Sequence, residues 1–154
     1  MIDERSYMFN PFKISRASEE EIINTYSNFQ NALIVEADTG FEIASNIEKY
    51  ANMNYLLGEM LARYKEQYNN LKNDITITEA KQVYMSRKQW IETNTEKPPA
   101  MSYFEAMAKE YVKKDLMELG RMDSQIDRFK NAYNSITEKQ NALKKKIEIM
   151  KLEI

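Results

Sequence analysis

The sequence predicts an all-α protein of long helices, on three observations. Its 154 residues include only three glycines and three prolines, too few for a turn-rich β architecture. Leu, Ile, Met, Ala, Glu and Lys dominate, a composition typical of helical proteins. Apolar residues also recur at alternating spacings of three and four over long stretches. We therefore expect an elongated helical hairpin or bundle with coiled-coil-like seams, which is oligomeric.

The composition also excludes several functional classes. The chain has no cysteine and no histidine, which excludes disulfides, Ser-His-Asp triads and histidine-containing metal sites. Its three glycines are isolated, so neither a P-loop nor a dinucleotide fingerprint is present. No apolar run is long enough to cross a membrane. We expect no enzyme, no cofactor, no metal and no membrane contact, and a cytoplasmic location.

The first elements follow from local signals near the N-terminus. Residues 1–17 show no clear period and contain Pro11, so we expect a mobile arm there. We expect residues 18–154 to form a single helical domain. Ser18 followed by Glu21 forms a capping box, which predicts a first helix over residues 19–37.

The second predicted helix spans residues 41–91 and carries an apolar seam with heptad spacing. The seam positions are Ile43, Ile47, Tyr50, Asn54, Leu57, Leu61, Tyr64, Tyr68 and Leu71. Its phase is lost at residues 73–78, which predicts a bend or short break, and resumes at Ile77, Ala80, Tyr84 and Ile91. A straight helix of this length would span about 75 Å, so we expect one copy to leave much of the seam uncovered.

The third predicted helix spans residues 102–154. Pro98 and Pro99 interrupt the chain before it, and Ser102 with Glu105 forms a second capping box. The seam of this helix comprises Leu119, Met122, Ile126, Phe129, Tyr133, Ile136, Gln140, Leu143, Ile147, Met150 and Ile154.

Charge is distributed unevenly along the chain. Residues 1–75 hold 7 basic and 12 acidic residues, whereas residues 76–154 hold 15 basic and 12 acidic residues. In the last helix Lys139, Lys144, Lys145 and Lys146 lie on or beside the flanks of the seam. The pattern alone favours a solvated flank, whose lysine stems cover apolar surface, over a binding site for a polyanion.

A second basic cluster follows the phase break of the second helix. Lys81, Tyr84 and Lys88 share one helical face, and Arg87 lies beside them. Cations track a phosphate backbone, and aromatic rings such as Tyr84 or Trp90 stack on unpaired bases. An ordinary core role for the two aromatic residues explains the same pattern at least as well.

The C-terminal two-thirds of the chain, about residues 50–154, resembles the UvsY-type recombination mediators of tailed phages. The last helix of that family carries the pattern A-x-x-x-I-x-x-[KR]-x-x-A-[IL]-K. The matching residues here are Ala132, Ile136, Lys139, Ala142, Leu143 and Lys144. The segments "KPPAMSYFEA" and "EAKQVYMSRK" are similar to the family's turn before the last helix and to its basic central helix. The chain departs from the family at Glu79 and Gln140.

This resemblance implies a ring-like homo-oligomer in the host cytoplasm that binds single-stranded DNA, displaces single-strand-binding protein and helps load a strand-exchange recombinase. The implied DNA contacts are Lys81, Tyr84, Arg87, Lys88, Lys139, Lys144, Lys145 and Lys146. The alternative is a non-enzymatic phage coiled-coil interaction protein, either a virion-assembly factor or a host-defence inhibitor. A metal-dependent enzyme is a distant third.

Overall fold

The computed structural model describes residues 16–154, which form four helices and no strand. The helices are α1 (Glu19–Asn31), α2 (Gly40–Thr93), α3 (Met101–Tyr111) and α4 (Lys113–Leu152). The predicted all-α class is therefore confirmed for this part of the chain. The predicted arm, residues 1–17, lies outside the described residues except for Arg16 and Ala17.

The chain divides into two compact units. The first comprises the described residues up to Arg63 together with Asp127–Ile154, and the second comprises Tyr64–Ile126. Helix α1 belongs to the first unit and α3 to the second, whereas α2 and α4 each contribute to both. Each unit has buried apolar residues of its own.

Helix α1 begins as predicted but ends earlier. The backbone N–H of Ser18 donates to Glu21 Oε2 over 2.7 Å, and the Glu21 N–H donates to Ser18 Oγ over 3.2 Å, which confirms the first capping box. The helix ends at Asn31 rather than near residue 37. The cause is a tertiary contact, because both backbone polar groups of Ile34 are bound by the buried side chain of Asn46.

Helix α2 begins with a capping box that the sequence interpretation missed, although its Thr-x-x-Glu signal is present. The Glu42 N–H donates to Thr39 Oγ1 over 3.2 Å, and the N–H groups of Asp38 and Thr39 both donate to Glu42 Oε2 over 3.1 Å. These bonds, the one from the Thr39 backbone foremost, lower the pKa of the Glu42 carboxyl. The helix then continues through residues 73–78 without a break.

The final predicted helix is two helices, and its predicted cap is wrong. The capping residue of α3 is Ala100, which makes no side-chain capping bond, so Ser102 already lies inside the first turn. The helix starts earlier than predicted, and the Tyr103 N–H closes its first turn on the Ala100 carbonyl over 3.0 Å. Buried Val112 separates α3 from α4.

The core of the first unit lies between α1, α2 and α4. Its buried apolar residues are Ile22, Phe29, Ile43, Met53, Leu56, Leu57, Met60 and Ile136. Asn54 Nδ2 donates to Thr137 Oγ1 over 2.8 Å, and Gln140 Nε2 donates to the Ile47 carbonyl over 3.3 Å. Because the partners advance in opposite directions along the chain, α2 and α4 run antiparallel here.

The core of the second unit is smaller. Its buried apolar residues are Ile75, Phe104, Ala108, Val112, Met122 and Ile126. The same unit leaves many large apolar side chains exposed, namely Ile77, Tyr84, Met85, Ile91, Met101, Tyr103, Met107, Tyr111, Leu116 and Met117. Three of these side chains, Ile77, Tyr84 and Ile91, recur at intervals of seven residues along α2.

Candidate nucleic-acid interface

The eight predicted DNA-binding residues fall into two groups that lie in different units. Lys81, Tyr84, Arg87 and Lys88 lie on α2 in the second unit. Lys139, Lys144, Lys145 and Lys146 lie on α4 in the first unit. Each group is therefore defined by the face of one helix.

The lysines of the α4 group have unequal surroundings. Lys144 and Lys145 are exposed and make no ion pair with any described residue. Lys146 Nζ, by contrast, donates to the Ala37 carbonyl over 3.0 Å. The ammonium group of Lys146 thus has a structural partner, and Lys144 and Lys145 are the freer cations of the three.

Lys139 and Lys146 line an open cavity of about 600 Å³ between α4 and the connector that joins α1 to α2. Glu36 and Asp38 of that connector line the same cavity. Their negative charges offset part of the positive potential that the two lysines produce. This side of α4 is therefore a poorer surface for a polyanion than the side of Lys144 and Lys145.

The connector itself is held by three side chains. Asn46 bonds the Ile34 N–H over 2.9 Å and the Ile34 carbonyl over 2.8 Å. Lys49 Nζ donates to the Ala32 carbonyl over 2.7 Å, and Lys146 supplies the third contact. None of these roles is visible in the sequence, because each joins residues that are at least 12 positions apart.

The α2 group surrounds an exposed aromatic ring. Tyr84 is 67% exposed, and Lys81, Arg87 and Lys88 lie three or four residues from it along the helix. Lys88 Nζ lies 4.0 Å from Glu92 Oε1, but both side chains are more than half exposed, so this ion pair contributes little. Lys81 and Arg87 have no acidic partner within the part of the chain that the structure describes.

Trp90, the other proposed stacking residue, is packed differently from Tyr84. It is only partly exposed, and its indole Nε1 is enclosed without a hydrogen-bond partner among the described residues. A ring in this position contributes to packing in the second unit. The core interpretation therefore fits Trp90, whereas Tyr84 has an accessible face.

Beside Tyr84 lies an open groove of about 390 Å³. Its lining residues are Ala80, Val83, Tyr84, Arg87, Lys88, Ile91, Glu92 and Met101. Ile77, Ala80, Tyr84 and Ile91, the predicted seam of this part of α2, are all exposed, whereas Ile75 is buried. We call the lining residues the α2 groove.

No family model, curated protein or solved structure matches this chain. Among residues 16–154, no helix combines the length and the apolar character that a bilayer-spanning segment requires.

Proposed function

We propose that this protein is a non-enzymatic, single-stranded-DNA-binding recombination mediator. The observation that carries the proposal is the set of unpaired cations on two helices, together with an exposed ring beside one of them. Lys81 and Arg87 flank Tyr84 on α2, and Lys144 and Lys145 extend from α4. Unpaired cations attract phosphates, and an exposed ring stacks on a base of any sequence.

The surroundings of each candidate rank its contribution. Lys144, Lys145, Lys81 and Arg87 supply the phosphate contacts in this proposal, and Tyr84 supplies a stacking face. Lys139, Lys146 and Lys88 contribute less, because connector acids lie near Lys139, the Ala37 carbonyl binds Lys146 and Glu92 lies near Lys88.

Homo-oligomer formation is part of the proposal, but the surface that supports it is not the α2 seam that the sequence analysis singled out. The seam of α2 in the first unit, which we expected one copy to leave uncovered, is buried or half-buried within a single chain. The second unit offers a better contact surface. Tyr103, Met107 and Tyr111 form an exposed stripe along α3, beside the face that buries Phe104 and Ala108.

A ring of copies would repeat the unpaired lysines along one DNA strand. Weak contacts then add through effective concentration, so that each subunit need not bind tightly. The two further partners, a strand-exchange recombinase and a single-strand-binding protein, come from the resemblance of residues 50–154 to the UvsY-type mediators. Action through binding alone requires no catalytic group in the chain.

The decisive experiment measures binding of the full chain to a fluorescein-labelled oligothymidylate by anisotropy over a series of salt concentrations. We expect the logarithm of the affinity to fall linearly with the logarithm of salt concentration, with a slope of about −0.7 per phosphate contact. The double variant Lys144→Glu, Lys145→Glu should bind more weakly and show a shallower slope. Lys146 is left unchanged because its loss would also disturb the connector.

The matched control is Lys109→Glu, Lys114→Glu, which changes the net charge equally at exposed positions outside both groups. This control should retain most of the affinity. If the two double variants weakened DNA binding equally, net charge alone would explain the loss of affinity. If the unaltered chain did not bind the oligonucleotide at low salt, the DNA-binding proposal would be wrong.

The exposed apolar surface of the second unit favours a second candidate, the non-enzymatic phage coiled-coil interaction protein, a virion-assembly factor or host-defence inhibitor. An apolar stripe with heptad spacing at Ile77, Tyr84 and Ile91 is suited to pairing with another helix. This candidate predicts salt-insensitive self-association or partner binding and no affinity for the oligonucleotide. The anisotropy experiment therefore separates the two.

A further inference from the structure

The α2 groove combines an apolar floor with a basic rim, and no described element of the chain covers it. Ala80, Val83, Ile91 and Met101 supply aliphatic surface around Tyr84. Ile91 is 54% exposed and Met101 is 48% exposed, so these side chains are accessible from outside. We propose that the groove binds an amphipathic helix of a partner protein, one with an apolar stripe flanked by aspartate or glutamate.

The dimensions of the groove suit a short helix. The lining residues on α2 run from Ala80 to Glu92, which corresponds to about 18 Å along the axis, or three turns. Helices that bind in grooves of this kind anchor themselves through apolar residues at positions i, i+3 or i+4, and i+7. Three such anchors span an interval of seven residues, or about 10.5 Å, and therefore fit within the length of the groove.

The charges at the rim select an acidic occupant. Arg87 and Lys88 line the groove, Lys81 lies one turn from Tyr84, and Glu92 is the single acid in the lining. A helix with acidic flanks would place carboxylates opposite these cations, which favours both encounter and correct register.

The same charges disfavour a second copy of α2 as the occupant. In a parallel arrangement Lys81, Arg87 and Lys88 would each face their own counterparts. In an antiparallel arrangement centred on Tyr84, Lys81 of one copy would face Arg87 of the other. Like charges opposed across a helical seam destabilise the pair.

The floor disfavours nucleic acid as the main occupant. Single-strand binding sites offer successive aromatic faces for successive bases. Here Tyr84 is the one aromatic residue of the lining, and the other floor residues are aliphatic. Tyr84 and Arg87 also belong to the proposed DNA surface, so a partner helix and a DNA strand would compete for this face, whereas Lys144 and Lys145 lie in the other unit and do not line the groove.

The test uses the full chain and a fluorescein-labelled synthetic helix of about three to five turns, with leucine at heptad a and d positions, glutamate beside them and alanine elsewhere. A second peptide has lysine in place of glutamate, and a third has the first peptide's residues shuffled so that the stripe is lost. We expect the acidic striped peptide to bind on the order of tenfold more tightly than either control.

Two variants locate the binding. Ile91→Asp should weaken binding of the acidic striped peptide on the order of tenfold or more, because it places a carboxylate in the floor. The matched control is Ile23→Asp, since Ile23 is 52% exposed but lies on α1 in the first unit, and it should bind as the unaltered chain does. Arg87→Glu with Lys88→Glu should reverse the preference toward the lysine peptide. Circular dichroism checks that each variant keeps its helix content.

Three outcomes would overturn the inference. Equal binding of the striped and shuffled acidic peptides would make the groove a general polyanion site. Loss of self-association in Ile91→Asp, with unchanged peptide binding, would assign the groove to a second copy. Equal effects of Ile91→Asp and Ile23→Asp would place the peptide elsewhere. The Lys144→Glu, Lys145→Glu variant should bind the peptide normally, so failure of the DNA proposal and failure of this one are distinguishable.

Discussion

The side-chain amide of Asn54 in α2 donates to the Thr137 hydroxyl in α4 over 2.8 Å, while Asn54 Oδ1 is buried without a partner among the described residues. Thr137 Oγ1 in turn donates to the Tyr133 carbonyl over 3.0 Å. One buried polar residue at a seam position therefore joins the two long helices of the first unit, at the cost of an unsatisfied acceptor. A polar residue at such a position favours one register over its neighbours.

We expect Asn54→Leu to raise the free energy of unfolding by about 1 kcal/mol, because it removes a buried acceptor that has no partner. Thr137→Val should lower the free energy of unfolding by about 1–3 kcal/mol, because it leaves the Asn54 amide without its acceptor. Urea denaturation followed by circular dichroism measures both changes. If Asn54→Leu were as destabilising as Thr137→Val, the hydrogen bond would outweigh the cost of the unsatisfied oxygen.

Asn46→Ala should destabilise the first unit by about 1–3 kcal/mol, because two backbone groups of Ile34 would lose their partner. The connector between α1 and α2 should then become more accessible to protease, which limited proteolysis detects. Asn52→Ala is the matched control in the same helix, since Asn52 makes no side-chain hydrogen bond within residues 16–154. If the two variants lost similar stability, the hydrogen bonds from Asn46 to Ile34 would not be what stabilises the first unit.

Two serines that both precede a glutamate by three residues should differ in their effect on stability. Ser18→Ala should lower the free energy of unfolding by about 1 kcal/mol, because it removes the hydroxyl that accepts the capping hydrogen bond of α1. Ser102→Ala should change the free energy of unfolding by less than about 0.5 kcal/mol, because Ser102 makes no capping bond. Thermal or urea unfolding of both variants tests this difference. Equal decreases in the free energy of unfolding would contradict the assignment of Ala100 as the capping residue of α3.

The capping contacts of Glu42 predict a pH dependence of stability. Its folded-state pKa lies below the ordinary value of 4.5, so the folded state binds fewer protons than the unfolded state between those two values. The stabilisation is therefore complete above the unfolded pKa and is lost as the pH falls through the folded pKa. We expect Glu42→Gln to lower the Tm near pH 7, and we expect this difference to shrink as the pH falls below the ordinary pKa of 4.5.

The control for that measurement is Glu48→Gln on the same helix, because Glu48 is exposed and its side chain makes no hydrogen bond or ion pair within the described part of the chain. If the Tm of Glu42→Gln stayed below that of the unaltered chain by the same amount from pH 7 to pH 3, the charge of the carboxylate would not explain how this cap stabilises the protein.

Much of the fold was predictable from the sequence because its signals are local. The start of α1 follows from the capping box of Ser18 and Glu21. The end of α2 shortly before Pro98 and Pro99 follows from the backbone geometry of proline. The errors arose where tertiary contacts or competing local options decided the result. Asn46 ends α1 early by binding Ile34, and Ala100 rather than Ser102 precedes α3.

The sequence predicted which residues belong to the candidate site but not what each of them contacts. The sequence placed Lys144, Lys145 and Lys146 together, but the connector uses Lys146 and leaves the other two unpaired. It also placed Tyr84 and Trp90 together, but only Tyr84 has a widely exposed ring. Neighbouring residues on a helix point in directions about 100° apart, so adjacent lysines meet different surroundings.

The helical character of this protein and the start of α1 follow from local signals, because caps, prolines and heptad spacing act over a few residues. Which apolar stripes are covered and which cations remain unpaired depends instead on how the helices pack. The α2 stripe is enclosed around Leu57 but exposed at Tyr84 and Ile91. Burial and pairing depend on segments brought together from distant positions, such as Ala37 with Lys146, and no local pattern encodes those contacts.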